Sequence, residues 1–288
     1  MLSRSYSFGS SVLRLGVVIK KGSNQALKLG IEVLKFASEK LGIDTYVDSE
    51  VVDEVKWKSF RLGIDEVDYI LVVGGDGTVL RTLHRLGNKV VPLITVKHGK
   101  RGFLCDVPPF EYRLALRKLM RGDFKLIKYM RLKARVNNER ELPYVLNDYV
   151  ITTTGKWRSK VARLNVFKGD DPIYTIASDG LIICPPAGST AYNLAAGGPV
   201  VDPELEVIIV TPLAPITFCS RSVILPKNSL VKVKVLGDSP PLVLICDGIY
   251  EVNLEPGDEV VVTNAEVPAV FVRFNLGEFY VRLFERCM

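Results

Sequence analysis

The sequence predicts an α/β N-terminal domain with a parallel sheet, plus a β-rich C-terminal domain. Three observations lead there. Strand and helix patterns alternate as far as about residue 125, the early strands are apolar on both faces, and from about Leu126 short β-rich runs follow one another with turn residues between them.

The elements follow in order. Residues 13–20 read as a buried strand, because Val17-Val18-Ile19 leaves no wet face. Ser23 offers an N-cap, and Leu27, Ile31, Leu34 and Leu41 recur at helical spacing before Gly42 closes the helix. Residues 43–47 and 67–73 are the next strands, a helix runs from Thr78 to a stop at Gly87, residues 90–96 form a fourth strand, and 109–121 another helix. The later strands fall at 132–136, 144–153, 161–167, 181–184, 207–210, 230–235, 242–246, 259–263 and 267–274, and only 190–196 looks helical. The expected domains are therefore 12–125 and 126–277, with a C-terminal strand at about 278–288 returning to the first domain.

Composition narrows the class. A chain of 288 residues with 48% apolar and 24% charged residues is globular and long enough to bury a substantial core. Every apolar run is interrupted before it reaches bilayer length, and the polar, Ser-rich stretch 1–11 lacks the apolar centre of a secretory signal. Five cysteines (Cys105, Cys184, Cys219, Cys246, Cys287) lie far apart in an odd count, which argues against a disulfide framework or a zinc site and for a reducing compartment, the cytoplasm. The net charge of +6 suits acidic ligands such as nucleotides. The basic residues form no long block and no aromatic–basic ladder, so neither nucleic acid nor membrane is an expected partner.

Gly74-Gly75-Asp76-Gly77-Thr78 follows a strand and opens a helix. Glycines let backbone amides approach a phosphate, and the helix adds its positive end. The loop is neither a Walker A sequence nor a dinucleotide fingerprint. Asp76 is the informative member. At about 4 Å from a phosphate charge a carboxylate is repelled by roughly 4 kcal/mol at an effective dielectric near 20, so a purely structural cradle should avoid it. It makes sense if it takes a proton from a hydroxyl nucleophile or helps hold a bridging magnesium ion; the plainer alternative is a helix cap at Thr78. The next strand leads into Lys97-His98-Gly99-Lys100-Arg101-Gly102, which would face the glycine loop if the two strands are neighbours. His84 and His98 show no metal-ligand pairing, and no protein metal ligands are expected.

Further signals lie in the β-rich half. Pro186-Ala187-Gly188-Ser189-Thr190-Ala191-Tyr192 opens the one helix there, where hydroxyls and free amides suit phosphate or ribose oxygens and Tyr192 suits a planar ring. The alternative has Ser189 as N-cap and Tyr192 in the core. Ser178-Asp179-Gly180 places a carboxylate at a turn. Asn147-Asp148 sits between apolar residues on an expected strand, where an amide and an acid need a polar partner, either a ligand or a hydrogen-bonded turn.

Taken in order, Gly-Gly-Asp-Gly-Thr, Asn-Asp, Asp-Gly-Leu, Gly-Ser-Thr-Ala-Tyr, Gly197-Gly198-Pro199, Thr211-Pro212-Leu213-Ala214-Pro215, the stretch 221–226, and Asp247-Gly248 followed by Glu255-Pro256-Gly257-Asp258 strongly resemble the NAD kinase family. The resemblance implies transfer of a phosphoryl group from ATP or polyphosphate to the adenosine 2′-hydroxyl of NAD, with a divalent metal ion, magnesium, as cofactor. It implies that Asp76 is the base for that hydroxyl and that Gly75, Gly77 and Thr78 lie against phosphate. Asn147 and Asp148 match the pair that grips the acceptor dinucleotide, and Thr190, Ala191 and Tyr192 its nucleoside pocket, extended by Asn193 to Ala195. Asp179 matches an acid often contributed across a subunit interface, so a homodimer or homotetramer is expected, and Arg163 falls near a position that touches ligand. The sequence departs from the family at Asp148, where Glu is usual, and at Ala187, Lys97, Arg101 and Ile249. The rival readings are a lipid or sugar-phosphate kinase sharing the glycine–acid loop, and a dinucleotide-binding regulator without turnover.

Overall fold

The computed structural model describes residues 12–99, 102–217, 219–274, 280, 281 and 283. The chain divides into two compact units, Met1–Lys128 with Ala269–Met288, and Tyr129–Pro268.

The first unit opens with β1 (Arg14–Ile19) and α1 (Asn24–Lys35). Ser23 is the N-cap of α1, its side chain accepting the Ala26 amide at 3.3 Å, and the buried face is Ala26, Gly30, Val33 and Leu34. A wider helical turn at Phe36–Lys40 continues it, and Gly42, at φ +65°, lets the chain leave. Then come β2 (Asp44–Asp48), α2 (Val52–Val55), β3 (Ser59–Phe60), β4 (Tyr69–Gly74), α3 (Asp76–Leu86), β5 (Leu93–Lys97), α4 (Tyr112–Arg121) and β6 (Lys125–Tyr129). The short β3 and the half-exposed β6 escape a reading based on apolar runs, because neither presents one.

The second unit carries β7 (Leu132–Val136), β8 (Arg140–Glu141), β9 (Tyr149–Thr153), β10 (Ala162–Lys168), β11 (Asp171–Ser178), β12 (Gly180–Cys184), α5 (Tyr192–Ala195), β13 (Val207–Leu213), β14 (Val223–Pro226), β15 (Val231–Val235), β16 (Leu242–Cys246), β17 (Tyr250–Leu254) and β18 (Glu259–Asn264). They form two antiparallel sheets, ordered β11-β10-β15-β18-β7-β8 and β14-β13-β12-β9-β16-β17. Alternate residues of both sheets meet in one core, as with Leu164 and Val233 from the first and Tyr149, Ile151, Leu181 and Leu244 from the second. On the second sheet the intervening residues Val150, Ile182, Cys184 and Ile209 are buried on the opposite face against Val201 and Leu213.

The last strand, β19 (Ala269–Arg273), belongs to the first unit. The order there is β3-β2-β1-β4-β5-β19-β6, and the pairings from β3 to β19 are all parallel. Two expectations change here. The run 267–274 is not a strand of the β-rich domain: every residue of β19 is buried, and a strand apolar on both faces suits the inside of a parallel sheet rather than a half-wet antiparallel one. It is this strand that returns to the parallel sheet. Tyr280, Val281 and Leu283 are helical rather than extended, and the rest of that predicted strand lies outside the described residues.

Candidate functional site

In the first unit, β4 is buried along its whole length and ends at Gly74, beside Lys97 of β5. A Cβ on Gly74 would stand 2.4 Å from Thr78 Oγ1, so only glycine lets the half-buried Thr78 fold back over the strand end. Gly75 is the N-cap residue of α3, and its carbonyl accepts the amides of Thr78 at 2.9 Å and Val79 at 3.2 Å. Gly77 is exposed, with open space where a side chain would be.

Asp76 is the first residue of α3 and does not cap it. Its half-buried carboxylate accepts the Phe103 amide at 2.7 Å and the Leu104 amide at 3.0 Å. Those bonds draw the chain after the basic loop onto the glycine turn, where His98 also donates its amide to the Gly74 carbonyl at 2.8 Å. The two strand ends are thus neighbours, as the sequence reading required. Lys100 and Arg101 lie outside the described residues. The segment is braced from beneath: buried Arg273 donates to the Leu104 carbonyl at 3.1 Å, and Thr95 Oγ1 donates to the same oxygen at 2.9 Å. His98 Nε2 stands 3.1 Å from Ser23 Oγ, a tie to α1 that sequence reasoning did not find. An arginine inside the apolar run of β19 was the one available signal for the brace.

In the second unit, Asn147 and Asp148 lie on a bend just before β9, not on a strand. The reason is Asp247: its carboxylate accepts three successive amides, Leu146 at 3.0 Å, Asn147 at 2.7 Å and Asp148 at 3.0 Å. A backbone turned toward one carboxylate cannot also make a sheet ladder. Gly188 presses against this bend, since a Cβ there would meet the Asn147 carbonyl oxygen at 1.8 Å. Asp148 is buried, and its carboxyl accepts no hydrogen bond among the described residues. Burial, and then the nearby Asp247 charge, push its pKa up to about 7. The buried Cys184 and Cys246 thiols near these acids are pushed up too, Cys246 to about 12, chiefly by burial.

The predicted nucleoside segment divides by burial. Pro186–Thr190 is a tight helical turn, Thr190 is buried, Ala191 is half-buried, and Tyr192 and Ala195 are exposed, so Tyr192 is not a core residue. Ser189 is no N-cap; its hydroxyl closes on the Val201 backbone, donating to the carbonyl and accepting the amide at 3.1 Å each. Asn193 lies deeper than its neighbours. It is fully buried, donates to the Ser189 and Pro199 carbonyls at 3.1 and 3.0 Å, and accepts the Thr211 hydroxyl at 2.6 Å. Both amide protons are spent inside the protein, where they hold the turn. Asp179 is exposed at the corner where the chain crosses from β11 into β12. Arg163 on β10 is exposed, faces Ala177 across the ladder and pairs with Asp238 at 3.2 Å. No hydrogen bond or ion pair joins its side chain to the Asn147–Asp148 bend among the described residues.

Among those residues no group of three or more His, Cys, Asp or Glu side chains stands ready for a metal ion, and no helix is long and apolar enough to cross a membrane. Cys105, Cys184 and Cys246 are buried free thiols and Cys219 an exposed one.

The chain carries a glycine–acid turn on a parallel sheet and an antiparallel sandwich with this acid-bearing bend, and the comparisons place it among phosphotransferases acting on an alcohol group. Residues 15–124 match the model of the ATP-NAD kinase N-terminal domain and residues 146–274 that of the C-terminal domain. The chain belongs to the NAD kinase family. It is 37% identical over 279 residues to the NAD kinase of Aeropyrum pernix, covering 95% of this chain and 98% of that one. It is 29% identical to the bifunctional NADP phosphatase/NAD kinase of Methanocaldococcus jannaschii, over 96% of this chain and 47% of that one. Its fold resembles yeast NADH kinase complexed with NADH, at a TM-score of 0.86 and 21% identity over 95% of this chain and 87% of the other. It also resembles an Archaeoglobus fulgidus NAD kinase in complex with ATP, at 0.75 and 24% over 95% and 98%.

Proposed function

We propose that this chain phosphorylates the adenosine 2′-hydroxyl of NAD to make NADP, with ATP or polyphosphate as donor. The observation that carries the reading is the Asp76 carboxylate at the start of α3, inside the glycine turn and anchored by the Phe103 and Leu104 amides. A carboxylate offers about four acceptor sites, so two such bonds orient it and leave capacity for a hydroxyl. Asp76 then takes the proton as the 2′-oxygen attacks, which requires hydrogen-bond reach in the reacting complex. Gly75, Gly77 and Thr78 lie against the donor's phosphates, and amides at the helix start offset the charge that develops on them.

Magnesium belongs to the same reading. Among the described residues no group of three or more His, Cys, Asp or Glu could hold the ion alone, so it would arrive on the donor's phosphates, with Asp76 the residue that would hold it from the protein side. When bound, it neutralises charge on the transferring group. The acceptor half is Asn147 and Asp148, with Thr190, Ala191, Tyr192 and Ala195 along the nucleoside and the exposed Asp179 and Arg163 as outer contacts, Asp179 across a subunit interface in a homodimer or homotetramer. ATP as donor is supported by the A. fulgidus kinase found with it, and a dinucleotide acceptor by the yeast enzyme found with NADH. The buried free thiols suit a reducing compartment, the cytoplasm.

The test is a panel of NAD, NADH, diacylglycerol and fructose 6-phosphate against ATP, other triphosphates and polyphosphate, with magnesium. NADP or NADPH is the expected product. No product from NAD or NADH with any donor overturns the assignment.

A further inference from the structure

We propose that Asp247 is the positioning residue of the acceptor site, its carboxylate shaping the Asn147–Asp148 bend. The inference rests on the reading of Asn147 and Asp148 as the acceptor grip. The three amides of Leu146, Asn147 and Asp148 converge on Asp247, and the Asp247 amide returns to the Asp148 carbonyl at 2.9 Å, closing a ring. The pairing of Cys246 with Tyr149 places the two aspartates opposite each other, one residue beyond the β9–β16 ladder. Both Asp247 and Asp148 are buried.

The plainer account is that Asp247 only makes a turn. Asp247 and Gly248 both have positive φ, +49° and +67°, and the Ile249 amide bonds to the Cys246 carbonyl at 2.9 Å, so they are the two central residues of a tight hairpin between β16 and β17. Asn-Gly serves that turn as well as Asp-Gly. Nothing in the turn asks for a negative charge, and burying one is costly unless it is bonded. The three amides supply those bonds, and buried Arg131 adds a favourable positive charge toward Asp247. Their consequence falls on Asp148, whose own amide is spent on Asp247 while its carboxyl faces that charge, with the neutral Cys184 and Cys246 thiols around it. An Asp148 carboxyl held near its titration point can donate to or accept from a ligand hydroxyl.

Asp247→Asn separates the two accounts, because it keeps the turn while removing the charge and one carboxylate oxygen. The expected variant is folded, with its circular dichroism near that of the parent and a somewhat lower melting temperature, since a buried amide loses its carboxylate oxygen. Its KM for NAD rises about tenfold while kcat changes less, as fits one or two lost charge-assisted bonds. The Asp148 side-chain carboxyl, followed by NMR, titrates at lower pH than in the parent, and the Leu146 to Asp148 amides exchange faster. Unchanged titration and exchange in a folded variant overturn the proposal, whatever the activity. Both NMR readouts work without turnover, so a parent enzyme inactive on NAD sinks the functional assignment alone. Should Asp247→Asn fail to fold, Asp148→Asn tests the bend alone: the Leu146 to Asp148 amides keep their slow exchange if Asp247 holds them, and faster exchange in that folded variant overturns the proposal.

Discussion

The Phe103 amide donates to the Asp76 carboxylate at 2.7 Å, joining the first turn of α3 to the chain beyond the basic loop. The bond makes Asp76 both the proposed base and the anchor of its own surroundings. Asp76→Asn keeps an oxygen for one amide and removes the base, so turnover should fall by about two to four orders of magnitude while NAD still binds. Steady-state kinetics and calorimetric titration with NAD check this. Retained turnover removes Asp76 from catalysis, whereas binding without turnover in the wild type too would identify a regulator.

Gly77 and Gly188 make opposite demands. Gly77 has open space around it within α3, so Gly77→Ala should stabilise the fold by about 0.5–1 kcal/mol through helix propensity. If donor phosphate lies against it, the same methyl should raise the donor KM. Thermal melts and donor titrations of one sample read both effects, and a more stable enzyme with an unchanged donor KM would move the phosphate elsewhere.

Gly188→Ala puts a methyl into the Asn147 carbonyl oxygen, a contact of 1.8 Å before relaxation. Overpacking of this kind costs about 1–3 kcal/mol. The bend must shift to accommodate it, so NAD binding should weaken along with stability. Denaturant titration paired with NAD binding tests the coupling.

Asp148 makes stability depend on pH. Its pKa rises from 3.8 to about 7 on folding, so the native state holds a proton that the unfolded state has lost. Its contribution is full below pH 3.8 and declines as pH rises to about 7, with a slope of up to about 1.4 kcal/mol per pH unit, and is flat above. Asp148→Asn should abolish that decline, so the variant gains on the parent between pH 4 and 7. Urea titrations across that range decide it, and parallel curves for the two proteins would contradict the assignment.

Asn193 is expected to matter for stability rather than for ligand. Asn193→Ala leaves the Thr211 hydroxyl and two carbonyls without this partner inside the protein, at a cost of about 2–4 kcal/mol. Tyr192→Phe, at an exposed position, should leave stability unchanged. A destabilised Tyr192 variant alongside a normal Asn193 variant would reverse the two assignments.

Much of this molecule follows from local order in the chain. The apolar cores of β1 and β4, Ser23 as a cap, and the glycine–acid turn between a strand and a helix depend on residues a few positions apart, where side-chain period and backbone preference act directly. The order of the motifs identified the family for the same reason. Tertiary structure decided what no local pattern carries. The Asn147 amide bonds to Asp247 across 100 positions, and the Asp76 carboxylate to Phe103 across 27. Each bond exists because strands distant in sequence became neighbours. Asp76 read as a cap or a base until the Phe103 and Leu104 amides turned it away from its own helix. Asn193 read as a pocket residue, and only the folded chain shows its amide bonded to Ser189, Pro199 and Thr211. The run of β19 fitted either domain by composition, and only pairing with β5 placed it in the parallel sheet. A strand's apolar pattern says which faces it buries; which neighbour covers them is settled when the whole chain packs.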